Sequence, residues 1–476
     1  MTALREQIGR LLDDVSRRVG PAAADIVNRL DSQLDEPLTI AVAGRTNAGK
    51  STLVNALIGT RIAPTASTEC TRAVTWFRAG PHQSRVVYAD GSEDPLWLTD
   101  DGRLPDRLPQ PPERVERLDV WVNYEPLHDI TVIDTPGLSG DEGLADQTER
   151  LLKGGHADVL LFVFGATIRA DEHQIVSDYR ARTSALYDFP GNVHGILSRA
   201  DQFLDPDPWA KAEAVAAEHA AALSDELAGV LPIMGKLAAT TETGSFSEDH
   251  ASWLRTVAAL PAAERDNALR RKNTFKNHDV LTDAARSSLL ERLDIYGIRE
   301  LTAPENADLS ADAMYETLRT RSGIAALQKR LRVMFVRPAA VHKAVRALAR
   351  IEEFVRRDAQ AGEMREDLLD QIQVIRDSPA MHTLAELRAL AALYAGRSDL
   401  GDPIAVRRAL LLFEETEPWR QLDCESADAD LAEIALDAAR YWKSYANKTA
   451  DLLATSIAET ASTSAYLILT SIRSPS

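Results

Sequence analysis

Apolar residues at Leu4, Ile8, Leu11, Val15 and Val19, and again at Ile26, Leu30 and Leu34, recur at the three- and four-residue spacing of a helix face, with Gly20-Pro21 between the two sets. The pattern predicts two amphipathic helices over residues 3–35. From residue 38 to about 240 the texture changes to short β-branched runs: LTIAVA (38–43), RVVYA (85–89), LDVWVNY (118–124), ITVID (130–134), VLLFVF (159–164) and VHGIL (193–197). Runs of this kind alternating with helical segments predict an α/β fold. VLLFVF is apolar throughout and reads as a central parallel strand covered on both faces. LDVWVNY alternates and reads as an edge or antiparallel strand, so a mixed, mostly parallel sheet is expected.

Beyond residue 245 the strand pattern fades and helical spacing returns, as at Val341, Val345, Leu348, Ile351, Val355, Leu368, Ile372 and Ile375. Residues 339–376 contain no proline and one glycine, Gly362, which predicts a single helix of about 55 Å. The segment GRLPDRLPQPP (102–112) predicts a surface loop. The expected organisation is a pair of N-terminal helices over 1–36, an α/β domain over 37–335 with a helical elaboration from about 250, and a helical region over 336–476.

With 476 residues the chain is long enough for two or three domains. Its two cysteines, Cys70 and Cys424, are too few for a disulfide framework and read as free thiols in a reducing compartment. The charged start MTALREQIGRLLDDVSRRVG lacks the apolar centre of a signal peptide, and no apolar run approaches 18 residues. A cytoplasmic protein is expected, with any contact at the inner face of the cell membrane peripheral. A formal charge of −18 and a pI near 5.1 exclude a broad basic face for nucleic acid or strongly anionic lipid.

The chemistry concentrates in GRTNAGKST (44–52), set between the run LTIAVA and the helical LVNALIG. Gly44, Gly49, Lys50 and Ser51 fit the pattern G-x-x-x-x-G-K-[ST]. In such a loop the main-chain amides, those of Asn47, Ala48 and Thr52 among them, surround phosphates, the lysine reaches the β and γ oxygens, and the serine ligates Mg²⁺. ITVI then ends in DTPG (134–137): Asp134 at a strand edge is placed to hold Mg²⁺ through water, and the Gly137 amide to bond a γ-phosphate. A threonine from PTASTECTRAVTWF (64–77) is expected to complete the metal shell, Thr71 first and Thr68 second. SRAD (198–201) follows the run VHGIL. There Asp201 is placed to accept two hydrogen bonds from a guanine edge, a donor pair that adenine lacks, with Arg199 lying along the base and Ser198 in the place usually held by Asn or Thr. Gly235 and Lys236 of LPIMGKLA (231–238) are candidate purine neighbours.

Taken in order, NAGKST (47–52), CTRAVT (70–75), DTPGL (134–138) and SRAD (198–201), with helices on both sides, resemble the dynamin superfamily of large GTPases, and within it the bacterial dynamin-like proteins. The resemblance implies a GTPase domain joined to a helical neck and trunk, bound GTP or GDP with Mg²⁺, and hydrolysis of GTP that relies on Asn47, Lys50, Thr71 and Gly137. It further implies assembly through GTPase domains meeting across the nucleotide, with Asn47 binding K⁺ or Na⁺, and Arg72 or Arg45 near the phosphates. The neck would join helices 3–35 to the segment after the GTPase domain and to the C-terminal helix bearing Leu431, Ile434, Tyr441, Trp442 and Tyr445. Membrane remodelling follows by the same likeness, with a sister dynamin-like protein as a partner and a weak lipid contact at DSPAMHTL (377–384), through Met381 and Leu384.

GRTNAGKSTLVNALIG also resembles the ribosome-assembly GTPases, which bind RNA. Two features speak against that reading: the long interval between Lys50 and Asp134, which leaves room for additional strands, and a helical second half whose segment 336–376 carries eight Lys/Arg against seven Asp/Glu. A scaffold that binds GTP with little hydrolysis is the third reading, because Leu138 stands where many small GTPases carry a water-orienting glutamine.

Overall fold

The computed structural model describes residues 2–64, 69–137, 157–184, 186–203, 207–357, 364–427 and 430–473. Leu138 and Thr68 lie outside the described residues. A nine-stranded sheet runs through the first half in the order β4-β3-β5-β2-β6-β1-β7-β8-β9. The strands are β1 (Leu38–Gly44), β2 (Thr75–Ala79), β3 (Gln83–Tyr88), β4 (Glu93–Pro95), β5 (Val115–Val122), β6 (Ile130–Asp134), β7 (Val159–Phe164), β8 (Val193–Ser198) and β9 (Val230–Ile233). β6, β1, β7, β8 and β9 are parallel, and β2 joins β6 antiparallel.

The uniformly apolar β7 has all six residues buried, because it lies between β1 and β8 with side chains packing on both faces. Leu161 and Val163 join Ile40, Val42 and Ile196 in one core, while Leu160, Phe162 and Phe164 join Ala41, Ala43 and Leu197 in the other. β5 is not an edge strand: it pairs parallel with β2 and antiparallel with β3. Its alternation arises because Asp119, fully buried, takes Arg85, Arg117 and Arg78 on one face while Leu118, Val120 and Val122 fill the core on the other. The 102–112 segment is a loop, but an anchored one: Leu104 and Leu108 are buried, and Leu108 N–H donates to Glu69 Oε2 at 2.9 Å.

The first two helices form as the spacing predicts, α1 (Thr2–Val19) and α2 (Ala24–Asp35). Leu4, Ile8, Leu11, Leu12 and Val15 of α1 are buried against the helices Ala339–Arg357 and Arg365–Arg376. These last two replace the single 55 Å helix expected over 339–376. They fold back on one another, as Arg376 pairs with Glu352 at 2.6 Å and Arg365 Nε donates to Val355 O at 3.2 Å. The physical reason is the apolar stripe itself: doubling back lets Val341, Val345, Leu348 and Ile351 share one α1 face with Leu368, Ile372 and Ile375.

The hairpin also relocates the turn that follows it. Residues 377–384 return beside Leu4 and Pro338 at the end nearer the sheet domain, where Met381 is 6% exposed and Leu384 packs on the core. They are not an exposed far tip.

The helices Leu431–Ala446 and Leu452–Arg473 pair extensively with each other, and the latter packs on His382–Tyr394 and Pro403–Glu414. Trp442 is therefore buried in a second bundle rather than on α1 and α2. Leu452–Arg473 is long and apolar enough to cross a membrane by length and composition, yet Ala454, Ile457, Ala458, Ala461 and Ala465 face inward in this fold. The helical half meets the sheet domain through Arg346–Asp158 at 2.8 Å, Arg388–Asp188 at 2.6 Å and the Tyr187 hydroxyl with His342 Nδ1 at 2.7 Å.

Candidate nucleotide site

β1 ends in a loop that only particular residues can enter. Gly44 has φ 152, and a Cβ there would stand 2.1 Å from Val163 O on the neighbouring strand. Asn47 (φ 62) and Gly49 (φ 97) turn the chain through left-handed conformations, and Ala48 N–H closes the loop on Arg45 O at 3.1 Å. α3 (Lys50–Leu57) then starts with its amides directed into the loop, the arrangement that favours anions.

Lys50 is 7% exposed and donates to Gly44 O and Arg45 O, both at 3.0 Å. An ammonium carries three hydrogens, so one is left for a phosphate oxygen. Burial lowers its pKa, and Asp134 opposes that shift. Thr52 lies in the first turn of α3 beside Gly235, where an added Cβ would stand 3.3 Å from Thr52 Cγ2. This close approach seats the start of the helix Gly235–Glu242 on α3.

β6 lies parallel to β1 with Asp134 opposite Val42, and Thr135 donates to Val42 O at 2.9 Å. That register carries Asp134 to the mouth of the loop, where its Oδ2 accepts the Ser51 hydroxyl at 2.9 Å. Its Oδ1 is buried with no partner among the described residues, and burial lifts the carboxyl to about 6 against the opposing effects of Lys50 and Ser51. A carboxylate and a hydroxyl with a spare buried oxygen form a hard donor set that suits Mg²⁺, which takes few protein ligands and fills its shell with water and phosphate. No cluster of three or more His, Cys, Asp or Glu side chains suited to a metal occurs among the described residues.

Gly137 lies against the loop, since a Cβ on it would fall 2.2 Å from Thr46 Oγ1 and 2.7 Å from Thr46 N. Thr71 occupies the short turn Cys70–Arg72, four residues before Thr75, which pairs with Asp134 in the sheet. Its loop is held from two directions: Asn55 makes paired hydrogen bonds to the main chain of Ala63, both at 2.8 Å, and Glu69 takes the Leu108 amide. Cys70 beside it is buried, its thiol pushed up to about 12 by burial and by Glu69 and Asp106. Arg45 is committed outside the loop, paired with Asp171 at 2.6 Å.

On the other side of the loop, Ser198 ends β8 and donates to Phe164 O at 3.0 Å, so its hydroxyl serves the sheet. Arg199 (φ 58) reaches back to Asn47 O and ties this loop to the phosphate loop. Asp201 lines a cavity of about 490 Å³ with Phe203, Lys272, Asp294 and Tyr296. Its carboxyl is raised by burial and by Asp294, and lowered by Lys272 and Lys236.

Lys236 does not line that cavity and meets its wall through Asp294. It donates to Asp294 Oδ2 at 3.0 Å, and Lys272 donates to the same oxygen at 2.5 Å. Asp294 interrupts the helix Asp283–Leu301 with φ 57 and ψ −178, a backbone conformation that costs about 1–3 kcal/mol in a residue with a side chain. Neither Asp294 nor Lys272 stands out in the sequence, because LLERLDIYGIREL keeps helical periodicity straight through the break.

The family model described as 50S ribosome-binding GTPase matches residues 39–185. The chain is 31% identical over 436 residues to the isoniazid-induced protein IniC of Mycobacterium tuberculosis, covering 88% of this chain and 86% of that protein. It is 28% identical over 159 residues to dynamin-like protein 2 of Campylobacter jejuni, covering 33% of this chain and 26% of the relative. Among solved structures, one of an oligomerised bacterial dynamin pair aligns over 98% of this chain and 90% of the other, with 14% identity and a TM-score of 0.34.

Proposed function

The chain belongs to the bacterial dynamin-like protein family, the family of IniC, and we propose that it binds GTP with Mg²⁺ and hydrolyses it to GDP and phosphate. The observation that carries this reading is Asp134, with one oxygen on Ser51 and the other buried without a partner among the described residues, at the mouth of the loop that holds Lys50. Mg²⁺, held there by Ser51 and Asp134 and joined by Thr71, would offset charge on the phosphate oxygens.

The residues of this chain do the rest. The third hydrogen of Lys50 meets a β- or γ-phosphate oxygen, and the loop amides surround the phosphates. The Gly137 amide, packed against Thr46, is placed to bond the γ-phosphate. Asp201 accepts from the guanine edge. Asn47, exposed in a left-handed turn, is the residue through which a K⁺ or Na⁺ ion and a second GTPase domain act. Self-assembly and peripheral membrane remodelling at the cytoplasmic face, with a sister dynamin-like protein as a partner, complete the reading.

The match to the 50S ribosome-binding description is confined to residues 39–185, a core common to many GTPases, whereas identity to IniC extends through the helical half. The net charge of −18 also disfavours RNA. The test is turnover of GTP and ATP by the purified chain and by Lys50→Ala, across a range of protein concentrations and with K⁺ or Na⁺ varied. GTP hydrolysis that Lys50→Ala abolishes, rising per molecule with concentration and with the cation, supports the whole reading. Equal turnover of ATP and GTP refutes the base assignment, and a rate independent of concentration and cation refutes the dimeric mechanism.

A further inference from the structure

Four charged groups meet at the edge of the cavity beside Asp201: the carboxylates of Asp201 and Asp294, and the ammonium groups of Lys236 and Lys272. Both lysines come from elements that border the base site, Lys236 from the first turn of the helix Gly235–Glu242 and Lys272 from the start of Lys272–Lys276. Lys272, Asp294 and Asp201 line one cavity, both ammonium groups sit on Asp294 Oδ2, and both lysines lower the Asp201 carboxyl from where they stand. A lysine on Asp201 would cap the acceptor atoms that guanine needs.

Asp294 prevents this. Its Oδ1 is taken by the amide of Ile295 at 2.7 Å, which fixes the carboxylate, and its Oδ2 receives both lysines. The residue is 4% exposed and sits at the break within the helix Asp283–Leu301. The break also frees Arg292 O, which accepts Thr240 Oγ1 at 2.8 Å, so the base-side helix is fastened to the same point. The chain thus holds a strained acidic residue where it faces the base loop.

We propose that Asp294 is a positioning residue for guanine recognition: by holding Lys236 and Lys272 it keeps both ammonium groups off Asp201, whose carboxylate stays available to the N1–H and 2-amino hydrogens of the base. This rests on reading the site as a GTP site. Asp294 touches no part of the nucleotide and acts through the two lysines.

Inosine triphosphate tests it, because it lacks the 2-amino group and so removes one of the two donors to Asp201. The parent protein is expected to favour GTP over ITP by about 10-fold or more, the range of a hydrogen bond to a charged acceptor. Asp294→Asn should weaken GTP binding at least ~10-fold and bring the GTP/ITP ratio toward one, with kcat at saturating GTP within about twofold of the parent. Asp294→Glu, which keeps a carboxylate for the lysines, should retain most of the ratio. Asp294→Asn combined with Lys236→Met and Lys272→Met removes the groups that would cap Asp201 and should restore the ratio; it also stands in for the single variant if that one does not fold.

A ratio unchanged in Asp294→Asn, or a triple variant with a ratio near one, overturns the inference. A parent protein that prefers GTP neither to ATP nor to ITP overturns the guanine reading instead, so the two failures are distinguishable.

Discussion

The guanidinium of Arg199 donates to the main-chain oxygen of Asn47, so the loop after β8 is strapped directly to the loop after β1. Both residues hold left-handed backbone conformations, φ 58 and φ 62, which side chains disfavour. The strap therefore joins two left-handed turns, one in the proposed phosphate loop and one in the proposed base loop.

Arg199 and its neighbour Ser198 should separate cleanly. Arg199→Ala removes an exposed contact and should weaken nucleotide binding several-fold while leaving the melting temperature nearly unchanged. Ser198→Ala deletes a buried donor to Phe164 O and leaves that oxygen short of a partner, so it should cost stability of about 1 kcal/mol or more with little effect on affinity. Titration with a fluorescent guanine nucleotide and a thermal melt of each variant check both statements; the reverse pattern would mean that Ser198 contacts the base.

The carboxyl of Asp134 predicts a pH dependence with a definite sign. Burial raises it to about 6 from an ordinary 3.8, so between those values the folded chain holds a proton that the unfolded chain has lost. Its burial therefore makes folding less favourable as pH rises through that window. Metal binding runs the other way, because it needs the ionised form. The apparent Mg²⁺ affinity of the nucleotide-bound protein should fall about tenfold per pH unit below 6, beyond the change of the free nucleotide, and level off above 7. Asp134→Asn should weaken the metal at all pH values and abolish the added slope, as Mg²⁺ titrations at pH 5 and pH 7.5 would detect.

How much of this was legible in the sequence depends on the range over which each feature is encoded. The phosphate loop, DTPG and the strands β1, β6, β7 and β8 are local: period-two or continuous apolar runs and a glycine pattern specify them without reference to distant residues. β2 was hidden in the segment 64–77, because TWFRA is short and its outer face carries Trp76 and Arg78. The Asp294 clamp was invisible for a stronger reason. Its partners lie 58 and 22 residues away, and helical periodicity gives no sign of a break. The 339–376 segment failed in the same manner, since nothing between Arg357 and Arg365 punctuates the pattern apart from Gly362, while the force that folds the segment back is the shared face of α1.

That shared face should dominate the stability of the helical half. Ile8 of α1 is 1% exposed and packs in the core with the hairpin helices. Truncation to alanine there should cost about 2–5 kcal/mol, the usual range for an emptied core position. Ile8→Ala should shift the chemical denaturation midpoint accordingly, and GTP turnover by the folded fraction should stay near that of the parent at low protein concentration. A shift within experimental error would place α1 outside the cooperative core.

The last prediction concerns Met381 and Leu384, which the resemblance to dynamin-like proteins offered as a lipid contact. In the structure the hairpin returns their turn to the neighbourhood of Leu4, Pro338 and Leu387, and Met381 is buried. An aspartate at that position would have to carry its charge into an apolar contact or force the turn open, and either costs several kcal/mol. Met381→Asp is therefore expected to lower the melting temperature sharply. At a temperature where it remains folded, it should sediment with liposomes as the parent does, with or without GTP. The end of the bundle remote from the sheet domain carries Arg17, Arg356 and Arg357, all largely exposed and each paired with a carboxylate of its own helix, Asp14, Glu352 and Glu353; an anionic surface that takes them from those partners gains at most about 1 kcal/mol each. Arg17→Glu with Arg356→Glu should accordingly reduce sedimentation with anionic vesicles and leave neutral ones unaffected. A fully stable Met381→Asp that no longer sediments would return the lipid contact to the 377–384 turn; sedimentation indifferent to both sets of changes would remove it from this half of the chain.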